Sequence, residues 1–143
     1  MQFDHEATIT APAAVVWDVY SDVERWPEWT RSIKSVRYVG GDRLGLGARA
    51  RIQQPKLPAA EWEVTALDPG HAWTWVAKAA GVRSTAVHEV VPVDAETTIV
   101  RTRIEQRGPL GAIIGLFYGR LTRTYLAMEA DGLKARSEAR ASA

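Results

Sequence analysis

Residues 9–29, ITAPAAVVWDVYSDVERWPEW, constrain the fold more tightly than any other part of the chain. They read as the end of a strand, a proline-started helix and a tryptophan-rich turn. Before them, Phe3, His5, Ala7 and Ile9 alternate with Gln2, Asp4, Glu6 and Thr8, the pattern of a half-buried strand. Pro12 suits the first turn of a helix, where a missing N–H leaves no carbonyl unpaired. Val16, Trp17 and Tyr20 then recur at helical spacing. Asp22 is placed to cap a second short helix that Pro27 interrupts.

Downstream, six further strands are expected. Residues 32–39 end at the turn signal Gly40-Gly41-Asp42, and in 47–54 Ala48, Ala50 and Ile52 alternate with polar residues. Residues 60–67 and 72–79 form a hairpin around Asp68-Pro69-Gly70, and 83–91 and 97–106 form another around Pro92 to Glu96. Short connections predict an antiparallel meander. From Pro109 the period becomes helical, with Leu110, Ile113, Ile114, Phe117, Leu121, Tyr125 and Met128 as the apolar stripe and Arg120, Arg123, Glu129 and Asp131 off it. Gly111, Gly115 and Gly119 fall every fourth residue, which reads as a close approach of this helix to the sheet.

The motifs "I-x-A-P", "V-W-D-V" and "D-x-x-R-W-P-E-W" at the start closely resemble the START-like, or polyketide cyclase/dehydrase (SRPBCC), superfamily. Trp62 to Gly70 resemble its middle strand and Asp-Pro turn, Glu89 to Thr98 its late hairpin, and Gly108-Pro109-Leu110-Gly111 the start of its terminal helix. The resemblance covers essentially the whole chain. It implies an α+β helix-grip fold: strand, two short helices, then six strands, giving a curved antiparallel sheet of about seven strands around one long C-terminal helix. Residues 1–143 would form a single ligand-binding domain, with 136–143, small and polar, open to fraying.

Composition sets bounds. The length suits one core. A net charge of +1 gives no reason to expect nucleic acid, and the absence of cysteine excludes disulfides and thiolate chemistry. No apolar run reaches the roughly 20 residues of a membrane span, and no signal peptide is visible, so a cytoplasmic location without integral membrane association is expected. Scattered histidines make no metal site, and no phosphate loop, nucleophile elbow or inward carboxylate pair implies a cofactor or a hydrolase. Oligomeric state is left open.

Alternation assigns the inner face. It gives Trp62, Val64 and Ala66; Trp73, Trp75, Ala77 and Ala79; and Ser84, Ala86, His88 and Val90. Many of these are small, so either the tryptophans and Phe117 fill the space or a ligand does. The expected ligand-binding residues are Trp62, Trp73, Trp75, Ala86, His88, Phe117, Leu121 and Tyr125, with His88 and Tyr125 as proton-moving groups if chemistry occurs. Arg101 and Arg103 fall on the solvent face of their strand, a reading that a one-residue bulge would reverse. Three functions follow: binding of a hydrophobic or aromatic small molecule; polyketide aromatase/cyclase-type catalysis, as the resemblance implies, weakened by the lack of a second inward acid–base group; or quinone or lipid binding, for which an exposed apolar gate would be the mark.

Overall fold

The computed structural model describes all residues, 1–143. Its elements are β1 (Gln2–Ile9), α1 (Ala13–Ser21), a 3-10 helix (Val23–Glu28), β2 (Ser35–Gly40), β3 (Arg49–Gln53), β4 (Ala60–Asp68), β5 (Ala72–Ala79), β6 (Val82–Asp94), β7 (Thr97–Arg107) and α2 (Gly111–Ala141). All seven strands make one antiparallel sheet in the order β1-β7-β6-β5-β4-β3-β2. The fold is the helix-grip arrangement. Because β1 lies at one edge and β2 at the other, α1 and the 3-10 helix must carry the chain across the sheet, and the meander then walks back to β1.

Two local devices hold the crossing segment. Thr98 Oγ1 donates to the Ala11 carbonyl at 2.7 Å, tying the start of α1 to β7. Trp26 Nε1 donates to the Tyr20 carbonyl at 2.8 Å, so the indole is folded back under α1. Asp22 does not cap the short helix with its side chain; its carboxylate lies 3.4 Å from Arg25 instead.

Side-chain alternation places the faces as expected in most strands. Ala48, Ala50, Ile52, Trp73, Trp75, Ala86, His88 and Val90 are all buried. One strand departs. The pairing of β4 with β5 shifts between Val64 and Ala66, so Leu67 rather than Ala66 stands opposite Trp73, and Ala66 is exposed. A bulge adds one residue and exchanges the faces beyond it.

No bulge disturbs the part of β7 that carries the arginines. Arg101 Nε lies 2.7 Å from Glu6 and Arg103 Nε 2.8 Å from Asp4, on the solvent face. Exposed pairs of this kind contribute little, because water screens them and two long side chains must be ordered. Replacing Arg101 and Arg103 together with Met is therefore expected to leave the thermal midpoint within about 2 °C of the wild type. A fall many times larger would mean that these arginines face the interior.

The glycines of α2 set its orientation. A Cβ at Gly115 would meet Met1 Cγ at 2.6 Å, and one at Gly119 would meet the Phe3 ring at 3.3 Å. The helix therefore turns its glycine face to β1, as the spacing predicted, and this decides where the apolar stripe goes. Phe117, expected to face inward, points to solvent with 76 % of its surface exposed, and Leu110 and Ile113 are exposed too. Further along, Leu126, Ala130, Leu133 and Ser137 are buried. Near the end of α2, Arg136 Nη1 donates to Glu28 Oε1 at 3.0 Å and the Thr10 N–H donates to Glu138 Oε2 at 2.8 Å. These contacts tie it to the crossing segment and to the end of β1.

Candidate active site: an aromatic box with a half-buried acid

Five rings converge between the concave sheet face and the helices. His88 on β6 stacks on Trp73 of β5, its cross-strand partner, with ring centroids 4.2 Å apart and planes 11° from parallel. Trp75 meets His88 edge-on at 5.3 Å, Tyr20 of α1 does so at 5.5 Å, and Trp26 lies tilted at 6.0 Å. Such contacts contribute about 0.5–1.5 kcal/mol each beyond the area they bury. Trp17 closes on Trp73 at 5.7 Å and Trp62 on Trp75 at 5.9 Å.

The centre of the grip is thus filled by the protein's own tryptophans: Trp26, Trp73 and Trp75 are each almost wholly buried. Of the two ways the sequence left for filling this space, the tryptophans take the middle. The pronounced surface hollows lie elsewhere. One, of about 390 Å³, lies between Trp17, Asp22, Arg43, Leu44 and Leu67, and two others lie on charged strand faces.

Burial decides the state of His88. Desolvation lowers its pKa from 6.5 to about 3, so the imidazole is neutral at physiological pH. Its Nδ1 and the neighbouring Trp73 Nε1 are both buried without a hydrogen-bond partner. Buried polar atoms are seldom left unpaired, because each forfeits its bond to water.

The sequence reading missed the main titratable group here. Tyr20 Oη donates to Glu129 Oε1 at 2.9 Å and lies 2.9 Å from Thr102 Oγ1, giving a chain from β7 through α1 to α2. Burial raises the Glu129 carboxyl from 4.5 to about 7, against the opposing pull of the Tyr20 hydrogen bond. Burial, with the Glu129 charge beside it, also drives the Tyr20 phenol well above its ordinary value. Glu129 is off the apolar stripe, which is why periodicity passed over it. The available signal was its position: it follows Tyr125 and precedes the fully buried Leu133 at four-residue steps, one face of a helix.

The remaining expected residues scatter. Ala86 is buried beside His88 on the same strand, and Trp62 is half-buried at the rim. Leu121 is half-buried on α2, and Phe117 is outside the site altogether. Tyr125 donates its hydroxyl to the Pro55 carbonyl, pinning α2 to the loop between β3 and β4. His5 is half-buried on β1 and His71 is exposed at the β4–β5 turn. No group of three or more His, Asp and Glu side chains converges as a metal site, and no helix is long and apolar enough to cross a membrane.

Comparison with known proteins agrees with this architecture. The norcoclaurine synthase of Thalictrum flavum superposes with a TM-score of 0.76 at 16 % identity, covering 98 % of this chain and 95 % of that one. The Zhui aromatase/cyclase from Streptomyces sp. R1128 gives 0.72 at 18 % identity, covering 98 % and 94 %. In sequence, a Streptomyces cyaneus protein named as a candidate polyketide cyclase is 26 % identical over 106 residues, 74 % of this chain. That match takes in 54 % of the relative, so the chain spans about half the length of the curated protein it matches. The family described as polyketide cyclase / dehydrase and lipid transport matches residues 1–138. With that match running through every strand and nearly all of α2, the chain belongs to the polyketide cyclase/dehydrase family.

Proposed function

We propose that the protein binds a hydrophobic or aromatic, carbonyl-bearing small molecule between the concave sheet face and α2, and moves protons on it in a cyclase- or dehydratase-type reaction. The observation that carries this reading is the Glu129–Tyr20–Thr102 chain at the edge of the aromatic box. A carboxyl raised to about 7 is poised to take up and return a proton near neutrality. It supplies the second acid–base group whose absence weakened the catalytic reading of the sequence.

The chemistry follows from the groups present. Glu129 as carboxylate removes a proton from the carbon beside a substrate carbonyl, and the C–H electron pair passes into the enolate. The enolate carbon attacks a second carbonyl, forming the ring bond. Protonated Glu129 gives that proton to the alkoxide so formed. For dehydration it removes the second proton of the same carbon, the C–H electron pair becomes the new C=C bond as the C–O bond breaks, and the returned proton lets the hydroxyl leave as water. Tyr20, steadied by Thr102, is the hydrogen-bond donor beside it. The unpaired His88 Nδ1 and Trp73 Nε1 suit a ligand oxygen or hydroxyl. The neutral, hard-to-protonate His88 serves binding here, and the proton-moving role passes to Glu129. Between α2 and the β3–β4 loop, Tyr125 to Pro55 is the single hydrogen bond.

A second reading, binding without turnover, is favoured by the tightly filled centre. The two separate on one pair of variants. Titrating a panel of aromatic and poly-ketone ligands against tryptophan fluorescence is expected to give saturable quenching. Glu129→Gln should keep the Kd within about 3-fold and lower turnover by about 10²–10⁴-fold. Turnover unchanged in Glu129→Gln refutes the catalytic reading. A ligand lost from Ala86→Trp, with no turnover in the wild type, supports the carrier. Absence of quenching by every ligand contradicts both.

A further inference from the structure

The first two turns of α2 present an apolar ridge to solvent. Leu116 and Phe117 are 78 % and 76 % exposed, and Leu110 and Ile113 stand beside them on the outward side. This follows from the glycine seam: with Gly111, Gly115 and Gly119 buried against β1 and Gln106, the large side chains of these turns are forced outward. Isolated exposed apolar residues need no explanation, but four large ones on one side of two helical turns do.

The segment that carries the ridge has charges of one sign. Between Gln106 and Glu129 the only charged residues are Arg107, Arg120 and Arg123, with no acid among them. Arg107 is paired with Glu105 at 2.6 Å. Arg120 and Arg123 enter none of the ion pairs of the molecule. The Arg123 guanidinium lies 4.9 Å over the Phe3 ring, which leaves its charge uncompensated. The stretch that carries the most exposed apolar side chains therefore bears a net positive charge.

We infer that the N-terminal half of α2 is an interfacial docking element for an anionic phospholipid surface. Leu110, Ile113, Leu116 and Phe117 enter the boundary between headgroups and acyl chains. Arg120 and Arg123, one to two turns further along at about 1.5 Å per residue, then lie at the level of the lipid phosphates. The ridge is convex, which suits insertion into a soft surface. A second copy of this chain fits poorly, because a two-fold contact sets the same patch against itself and brings the arginines together. The inference does not depend on the chemistry proposed for Glu129.

Flotation of the full chain with vesicles tests it. One set is phosphatidylcholine alone, the other one part phosphatidylglycerol to two parts phosphatidylcholine. The wild type should float with the anionic set and stay behind with the neutral one. The double variant Leu116→Glu, Phe117→Glu should lose partitioning by about ten-fold or more, and Arg120→Glu by about three-fold or more. These side chains are exposed, so circular dichroism and the thermal midpoint should match the wild type. Failure of the wild type to float, or flotation unaffected by the double variant, overturns the inference, and equal flotation with both sets removes the anionic specificity. A dimer in light scattering that the double variant splits, without flotation, assigns the ridge to a second copy.

Discussion

Gly132→Ala should cost about 3 kcal/mol or more, the largest effect expected from adding a single methyl group to this protein. A Cβ built on Gly132 would stand 1.9 Å from the Trp29 carbonyl oxygen and 3.0 Å from the Trp29 ring. The first of these is backbone, so no rotamer change relieves it; α2 would have to lift from the end of the 3-10 helix. In an open helix the same change would stabilise by about 1 kcal/mol, because alanine loses less backbone entropy. The sign of the measured change thus reports whether α2 and Trp29 touch as described. A thermal midpoint lowered by roughly 10 °C is expected, and an unchanged or raised one contradicts the packing.

The second large effect is in the pH dependence of stability. Glu129 takes up its proton at about 7 in the folded protein and near 4.5 when unfolded. The folded state therefore holds the extra proton in between, and its stability contribution, full below 4.5, is lost as pH rises through 7. His88 works oppositely: its pKa falls from 6.5 to about 3, so it stabilises fully above 6.5 and loses that contribution as pH falls toward 3. Between about 4.5 and 6.5 the two slopes offset each other in the wild type.

Glu129→Gln removes one of them. Glutamine still accepts from Tyr20 but binds no proton, so the variant should match the wild type near pH 4 and exceed it by about 2 kcal/mol at pH 8. That figure is set below the full shift because Glu129 retains some exposure. Urea unfolding of both proteins at a series of pH values gives the difference directly. A difference that stays flat across the range shows that Glu129 is an ordinary solvated carboxylate.

Fold and site were unequally legible. Strands β3 and β5 to β7 were readable because one face is buried, and burial writes itself as alternation: Ala48, Ala50, Ile52 and Trp73, Trp75 fell where they were expected. The bulge that sends Leu67 inward in place of Ala66 left no mark, since both are apolar. Phe117 failed for a different reason. Periodicity finds an apolar stripe, but the face α2 buries over β1 was chosen by closeness of approach, and that selects glycine over phenylalanine. The aromatic box was partly visible, in Trp73, Trp75 and His88. Its acid was not, because a glutamate off the stripe reads as solvated until Tyr20, more than a hundred residues away, is seen donating to it.

That pairing also joins the parts of the functional account. Tyr20 reaches Trp26, Trp73 and His88 through its ring and Glu129 through its hydroxyl, so the box and the acid form one unit. On the proposed reading, a substrate held against the tryptophans lies within reach of the carboxylate that takes its proton.

The most direct test of this unit is the titration of the Glu129 side-chain carboxyl carbon by NMR in the full-length chain, with Glu129→Gln to assign the signal. A midpoint near 7 is the result the account predicts, carrying a half-buried, tyrosine-linked acid able to work at neutral pH. A midpoint near 4.5, the value of a carboxylate in water, would contradict it and leave the grip with no acid–base group for the proposed reaction.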